Sequence, residues 1–198
     1  MYDYQIALGA IASGIGILAF VPYFRDIIRG TTKPHPFSWL VWGLIHVIAF
    51  FAQVSSGGGA GTWLTASVAI GCLVIAALSF FRGKDGIVAL DWWCLIGALL
   101  GVVLWQVTNN PFTAIIFVIL TDALACVPTF RKGYLKPNEE TVLTYGIGVL
   151  ANILALFAFE SINPTTVLYP IFIVVINIAL VAMLLIRRKQ LARSMIAD

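Results

Sequence analysis

The sequence predicts an all-α membrane protein with seven transmembrane helices. They form two parallel three-helix repeats joined by a linker helix (3+1+3), with the N-terminus outside and the C-terminus cytoplasmic. Three observations carry this. Hydrophobic residues make up 61% of the 198 and charged residues 11%, more apolar material than a soluble domain of this length can hide. The apolar runs have membrane-spanning length, about 20 residues each. One phrase also recurs: V-P-x-F-R stands at 21–25 and again at 127–131, each time followed by a Lys-Pro and a new apolar run.

The helices are expected at 4–29, 37–55, 61–81, 89–108, 111–130, 141–159 and 165–187. Turn-forming chemistry separates them. Gly30-Thr31-Thr32-Lys33-Pro34 ends the first, Ser55-Ser56-Gly57-Gly58-Gly59 the second and Arg82-Gly83-Lys84-Asp85-Gly86 the third. Asn109-Asn110-Pro111 divides the fourth from the fifth, Lys136-Pro137-Asn138 precedes the sixth, and Asn163-Pro164 the seventh. The first repeat is then 1–85, the linker helix 86–110, the second repeat 111–187 and a basic cytoplasmic tail 188–198. The first apolar run is not expected to be a signal peptide, because Asp3 stands where a cleavable signal carries bases.

Lysine and arginine set the orientation. Arg25, Arg29 and Lys33 follow the first helix, Arg82 and Lys84 the third, and Arg131, Lys132 and Lys136 the fifth. Arg187, Arg188, Lys189 and Arg193 follow the seventh, so all twelve bases fall on one side. The net charge of +3 is this asymmetry and implies no nucleic-acid partner. The basic tail is expected against anionic membrane lipid. The expected location is a multi-pass position in the plasma (inner) membrane.

The repeat aligns Pro22 with Pro128 at an offset of 106. Past the next loop the offset is 103, pairing Lys33-Pro34 with Lys136-Pro137 and Trp42 with Tyr145. Each repeated proline lies near the inner end of the first helix of its half. There it removes a backbone donor and loosens the preceding turn, making a hinge or a fixed tilt. Asp26 aligns with Lys132. The two are expected either to bridge the inner mouth as a gate or to stand as solvated rim charges.

On these residues the chain resembles the SWEET and PQ-loop (MtN3-like) membrane transporter superfamily. The likeness covers nearly the whole chain and rests on the 3+1+3 order and on Pro22 and Pro128. Where the PQ-loop branch has Pro-Gln, this chain has Pro22-Tyr23 and Pro128-Thr129. The resemblance implies movement of small solutes by alternating access, sugars in SWEETs and amino acids with protons in PQ-loop carriers. Some relatives of that fold act as sorting receptors.

Polar side chains at membrane depth are costly and usually purposeful. Counted from the basic border, His46 lies about 14 Å deep, Asp122 about 13 Å, Asn152 about 16 Å and Asn177 about 15 Å. Four helices thus contribute to one layer, as a binding site requires; separate interhelical hydrogen bonds are the plainer reading. Asp122 is the sharpest candidate, since a carboxylate removed from water can exchange a proton at useful pH. With His46 it would form a two-membered proton relay or a structural lock. Asn177 resembles the helix-7 asparagine with which SWEETs hold a sugar hydroxyl, although its repeat mate is Val74. Trp42 and Tyr145 either sandwich a ring-shaped solute or anchor at the interface.

Gly97 and Gly101 form a GxxxG spacing that offers a face to the first half or to a second copy of the chain. Cys72, Cys94 and Cys126 lack metal-ligand spacing and are expected to pack. No HExxH, GxSxG, Walker loop or Schiff-base lysine is present, so neither an enzyme, a metal site nor a cofactor is expected. The function expected is transport of a small polar solute, driven passively or by protons. The alternative is a membrane receptor or assembly factor that binds a ligand without moving it.

Overall fold

A computed structural model describes residues 3–30, 36–82 and 89–197. Among these the chain is helical, with seven α-helices in order. They are α1 (Asp3–Ile28), α2 (Pro36–Ser55), α3 (Trp63–Arg82), α4 (Ala89–Thr108), α5 (Pro111–Leu135), α6 (Val142–Ala158) and α7 (Pro164–Ala197). Short 3-10 turns at Gly59–Thr62 and Pro137–Glu139 lead into α3 and α6. The boundary expected at 85/86 lies outside the described residues.

Local chemistry explains the breaks. Gly30 (φ 71°) and Gly57 (φ 78°) turn the chain left-handed just past α1 and α2, where only glycine does so without strain. Asn110 caps α5 by accepting from Phe112 N at 3.0 Å, with Pro111 in the first turn. Asn163 caps α7, its Oδ1 accepting from Thr165 N at 3.0 Å and Thr166 N at 3.2 Å.

Two helices outrun their expected ends. α5 continues past 130 to Leu135, and α7 continues past 187 to Ala197, so the expected tail is helical over most of its length. Its residues are strong helix formers with no Gly or Pro among them. Arg188 fastens it, its Nε and Nη2 donating to Pro137 O (3.1 and 2.9 Å) and Nη2 also to Glu140 O (2.7 Å).

The interior holds polar groups among its apolar cores, and the outer surface is largely apolar. Gln53, His46, Thr121 and Asp122 are buried, while Leu18 (60%), Ile70 (64%), Phe157 (65%) and Val175 (61%) are exposed. Outward apolar faces on this scale belong in lipid. α1, α5, α7 and the segment Gly59–Ser79 are each long and apolar enough to cross a membrane. The chain is therefore a helical membrane protein.

α3 packs against both α1 and α2, and α7 against both α5 and α6. α1 lies on α6 and α2 on α5, while α4 covers α5 and touches α2. One apolar core joins Val41 and Ile45 of α2 to Ile115 and Val118 of α5 and Tyr169 of α7. A second joins Ala12, Leu64, Ala151 and Ala155 of α1, α3 and α6. Gly97 on α4 packs against Thr121 of α5, where an added Cβ would stand 2.9 Å from Oγ1. That glycine thus has a use within one chain, and the side-chain position of Gly101 lies outside the described residues.

Candidate functional site

Between the cores lies a cavity of about 160 Å³, close to the roughly 150 Å³ at which an engineered protein cavity takes up benzene. His46, Asp122, Asn152, Asn177, Trp42 and Tyr145 all line it. These residues come from α2, α5, α6 and α7. The walls are otherwise mostly apolar, with Phe20, Trp39, Leu64 and Val68 among them.

The cavity wall includes one carboxylate among the described lining residues. The Asp122 carboxylate, 3% exposed, accepts from Tyr169 Oη at 2.9 Å on Oδ2 and from Cys126 Sγ at 3.6 Å on Oδ1. The Tyr169 hydroxyl is also 3.3 Å from each ring nitrogen of His46. His46 Nδ1 faces Trp42 O at 2.8 Å, a carbonyl that can only accept, so Nδ1 carries the hydrogen. Tyr169 thus stands between the two residues expected to pair, its hydroxyl touching both His46 and Asp122.

Tyr169 was not legible as a site residue. Counting rise along α7 from Arg187 puts it about 27 Å deep, outside the layer. Such a count ignores the tilt and stagger of α7 against α5. A tyrosine just before Pro170 within an apolar stretch of α7 was the available signal.

The cavity wall also carries amides. Asn152 Nδ2 donates to Gly148 O at 2.9 Å. Asn177 comes close to the same backbone because position 148 lacks a side chain; a Cβ there would stand 3.3 Å from Asn177 Nδ2. Thr144 also lines the cavity, and its Oγ1 is buried with no hydrogen-bond partner.

The rim away from the bases is sealed. Gln5 Nε2 donates to Phe159 O (2.9 Å), Gln53 Nε2 to Thr166 O (3.3 Å) and Asn163 Nδ2 to Ser56 O (3.1 Å). Gly9 lies against Ala60 and Gly61 against Phe159 with no room for a Cβ. Toward the bases the cavity extends past Trp39, Thr129 and Phe130.

The expected Asp26–Lys132 pair gives way to other partners. Lys132 Nζ lies 2.9 Å from Glu140, and Asp26 bonds Arg25 Nε at 2.9 Å and Thr141 Oγ1 at 3.4 Å. Glu140 wins Lys132 because the turn Pro137–Glu139 folds it back onto the end of α5, and so short a closure costs little entropy. Asp26 still links the halves, through Thr141. Tyr145 Oη donates to Glu140 at 3.0 Å, tying the cavity wall to this rim. Pro22 sits within α1, which runs unbroken past it. α5 likewise runs through position 128, although the side chain of Pro128 lies outside the described residues.

No family model, curated protein or solved structure matches the chain.

Proposed function

We propose that this chain is a transporter of a small polar solute, of SWEET/PQ-loop-like architecture, rather than an enzyme. In this reading seven spans form two parallel three-helix units with α4 as linker, N-terminus outside and bases at the cytoplasm. The solute occupies the cavity between the units and is released by alternating access. The observation that carries it is the cavity itself: one carboxylate, one imidazole and two amides, drawn from four helices, around a shared void at membrane depth. Polar groups are costly there unless they hold something.

The helix packing supports the two-unit reading. Exchanging α1, α2 and α3 for α5, α6 and α7 turns the α1–α3, α2–α3 and α1–α6 contacts into α5–α7, α6–α7 and α2–α5 contacts, all of which occur. The rim sealed by Gln5, Gln53 and Asn163 then acts as the closed outer gate, and the aromatic end beside Trp39 as the inner entrance. Asp122, with Tyr169 and His46, carries a proton; Asn152, Asn177, Trp42 and Tyr145 hold the solute.

Purified protein in liposomes, challenged with a mixed pool of labelled sugars, amino acids and amines, tests the reading. Saturable uptake that is lost when Gly148 is replaced by Leu is the expected result. Saturable binding without flux would assign the receptor role instead.

A further inference from the structure

We infer that the solute is a small organic monocation with a ring or branched apolar body, and that it and a proton compete for Asp122, so that transport is electroneutral exchange. This rests on the transporter reading for the direction of movement, but the binding equilibrium stands without it.

The argument starts from the hydrogen bonds around the carboxylate. Tyr169 and Cys126 both meet Asp122 as donors, one on each oxygen. An acceptor-only role on both oxygens fits the ionised form. Among the described residues no lysine or arginine pairs with it. A buried carboxylate with donors but no counter-charge must acquire one. Two species can serve, a proton or a cationic ligand.

The walls favour an organic cation as the ligand. Trp42, Trp39, Phe20 and Tyr145 line the same void, and Trp39 and Trp42 meet edge to face at 5.2 Å. Aromatic faces attract desolvated cations and pack against apolar bodies. The cavity volume limits the body to about the size of benzene plus a charged substituent. Asn177 lines the same cavity and, with no hydrogen bond of its own among the described residues, can take a polar group of the solute.

The other titratable groups facing Asp122 do not supply the charge. Tyr169 on α7 and Cys126 on α5 act as donors, and Cys72 of α3 is a buried thiol on the cavity wall. His46 on α2 holds its Nδ1 hydrogen toward Trp42 O and can accept at Nε2 as a neutral ring. α4 approaches α5 through Gly97 at Thr121; the side chains of Asp91 and Cys94 lie outside the described residues. With one carboxylate for two cations, binding the ammonium expels the proton. Asp122-COOH plus R-NH3+ gives the Asp122-COO−···R-NH3+ pair plus H+, which leaves by the cavity. Charge is conserved at each exchange, so voltage does no work on the cycle while a pH gradient drives it.

Calorimetric titration of the purified full chain with benzylammonium chloride tests this, in buffers of different ionisation heat between about pH 5 and about pH 8. Benzyl alcohol is the neutral probe of equal size. Benzylammonium should bind at least about tenfold tighter than benzyl alcohol. It should release about one proton per amine at the acid end and lose about tenfold in affinity per pH unit there. Asp122→Asn should lose the preference for the amine, and His46→Gln should keep the proton release.

The inference is overturned if benzylammonium fails to bind or if benzyl alcohol binds as well. It is equally overturned if wild-type affinity ignores pH, or if proton release follows His46 rather than Asp122. The pH series on the wild type decides the matter even if a variant does not fold. Flux of a neutral solute alongside a negative titration would sink this inference alone and leave the transporter reading standing.

Discussion

The Tyr169–Asp122 hydrogen bond can be measured without knowing the solute. Tyr169→Phe removes only the hydroxyl. The ring, 2% exposed, keeps its packing beside His46 at 5.2 Å and Phe172 at 6.4 Å. What is lost is a 2.9 Å bond to a carboxylate oxygen. Bonds to charged groups are worth about 1.5–3 kcal/mol. A double-mutant cycle isolates this amount from the other effects of each change. Asp122→Ala alone removes the acceptor and leaves the hydroxyl with His46. Tyr169→Phe with Asp122→Ala should therefore cost about 1.5–3 kcal/mol less than the two single losses added together. Reversible unfolding in mixed micelles, monitored by tryptophan fluorescence, supplies the four free energies. If the losses add to within about 0.5 kcal/mol, the two groups are not bonded and the place of Tyr169 between His46 and Asp122 is wrong.

Four further outcomes are expected. Gly148→Ala puts a Cβ 3.3 Å from Asn177 Nδ2; it should lower solute affinity at least about tenfold while changing stability by less than about 1 kcal/mol, as binding and unfolding assays on one preparation will tell. Gly9→Val drives a side chain into Ala60; overpacking of about 1–3 kcal/mol should loosen the sealed rim and speed labelling of a Thr65→Cys probe by an impermeant thiol reagent added from that side. Lys132→Met leaves Glu140, 9% exposed, without its ammonium partner, so the melting temperature should fall by more than the loss of a fully exposed pair, at most about 1 kcal/mol, would cause. Asn163→Ala removes the α7 cap and the link to Ser56; a loss of about 1–2 kcal/mol is expected from unfolding.

The helices were legible because their boundaries are chemical events: Gly30, Gly57, Asn110-Pro111 and Asn163-Pro164 each stop or start a helix by local rules. The reach of α7 to Ala197 was not, because a charged stretch reads as a tail until the carbonyls of Pro137 and Glu140 that hold Arg188 are known. Counting depth brought His46, Asp122, Asn152 and Asn177 to one level, and one cavity does receive all four. Rise per residue is the same in every helix, so residues near a common border can be compared directly. The count misplaced Tyr169, since helix tilt and stagger appear only when helices pack. It also could not rank Glu140 above Asp26 as the partner of Lys132, because repeat alignment compares positions and says nothing of the turn between α5 and α6.

The packing obeys an exchange of halves that the chemistry does not. Asp122 aligns with Gly16, Cys126 with Phe20 and Trp42 with Tyr145, and both members of all three pairs line the cavity. Asn177 aligns with Val74, Asn152 with Ala49, His46 with Val149 and Tyr169 with Ala66. Asp122, Asn177, Asn152, His46 and Tyr169 thus each have an apolar or side-chain-free counterpart. A second acid at Gly16 would place two like charges across a void of about 160 Å³, where repulsion would keep one of them protonated. Glycine there makes room for the Leu64 side chain, which an added Cβ would meet, and leaves Asp122 the single carboxylate among the described lining residues. In the proposed transporter a symmetric frame would rock two ways about its centre, while an asymmetric lining would hold the proposed cation one way, charge toward Asp122 on α5 and polar group toward Asn177 on α7.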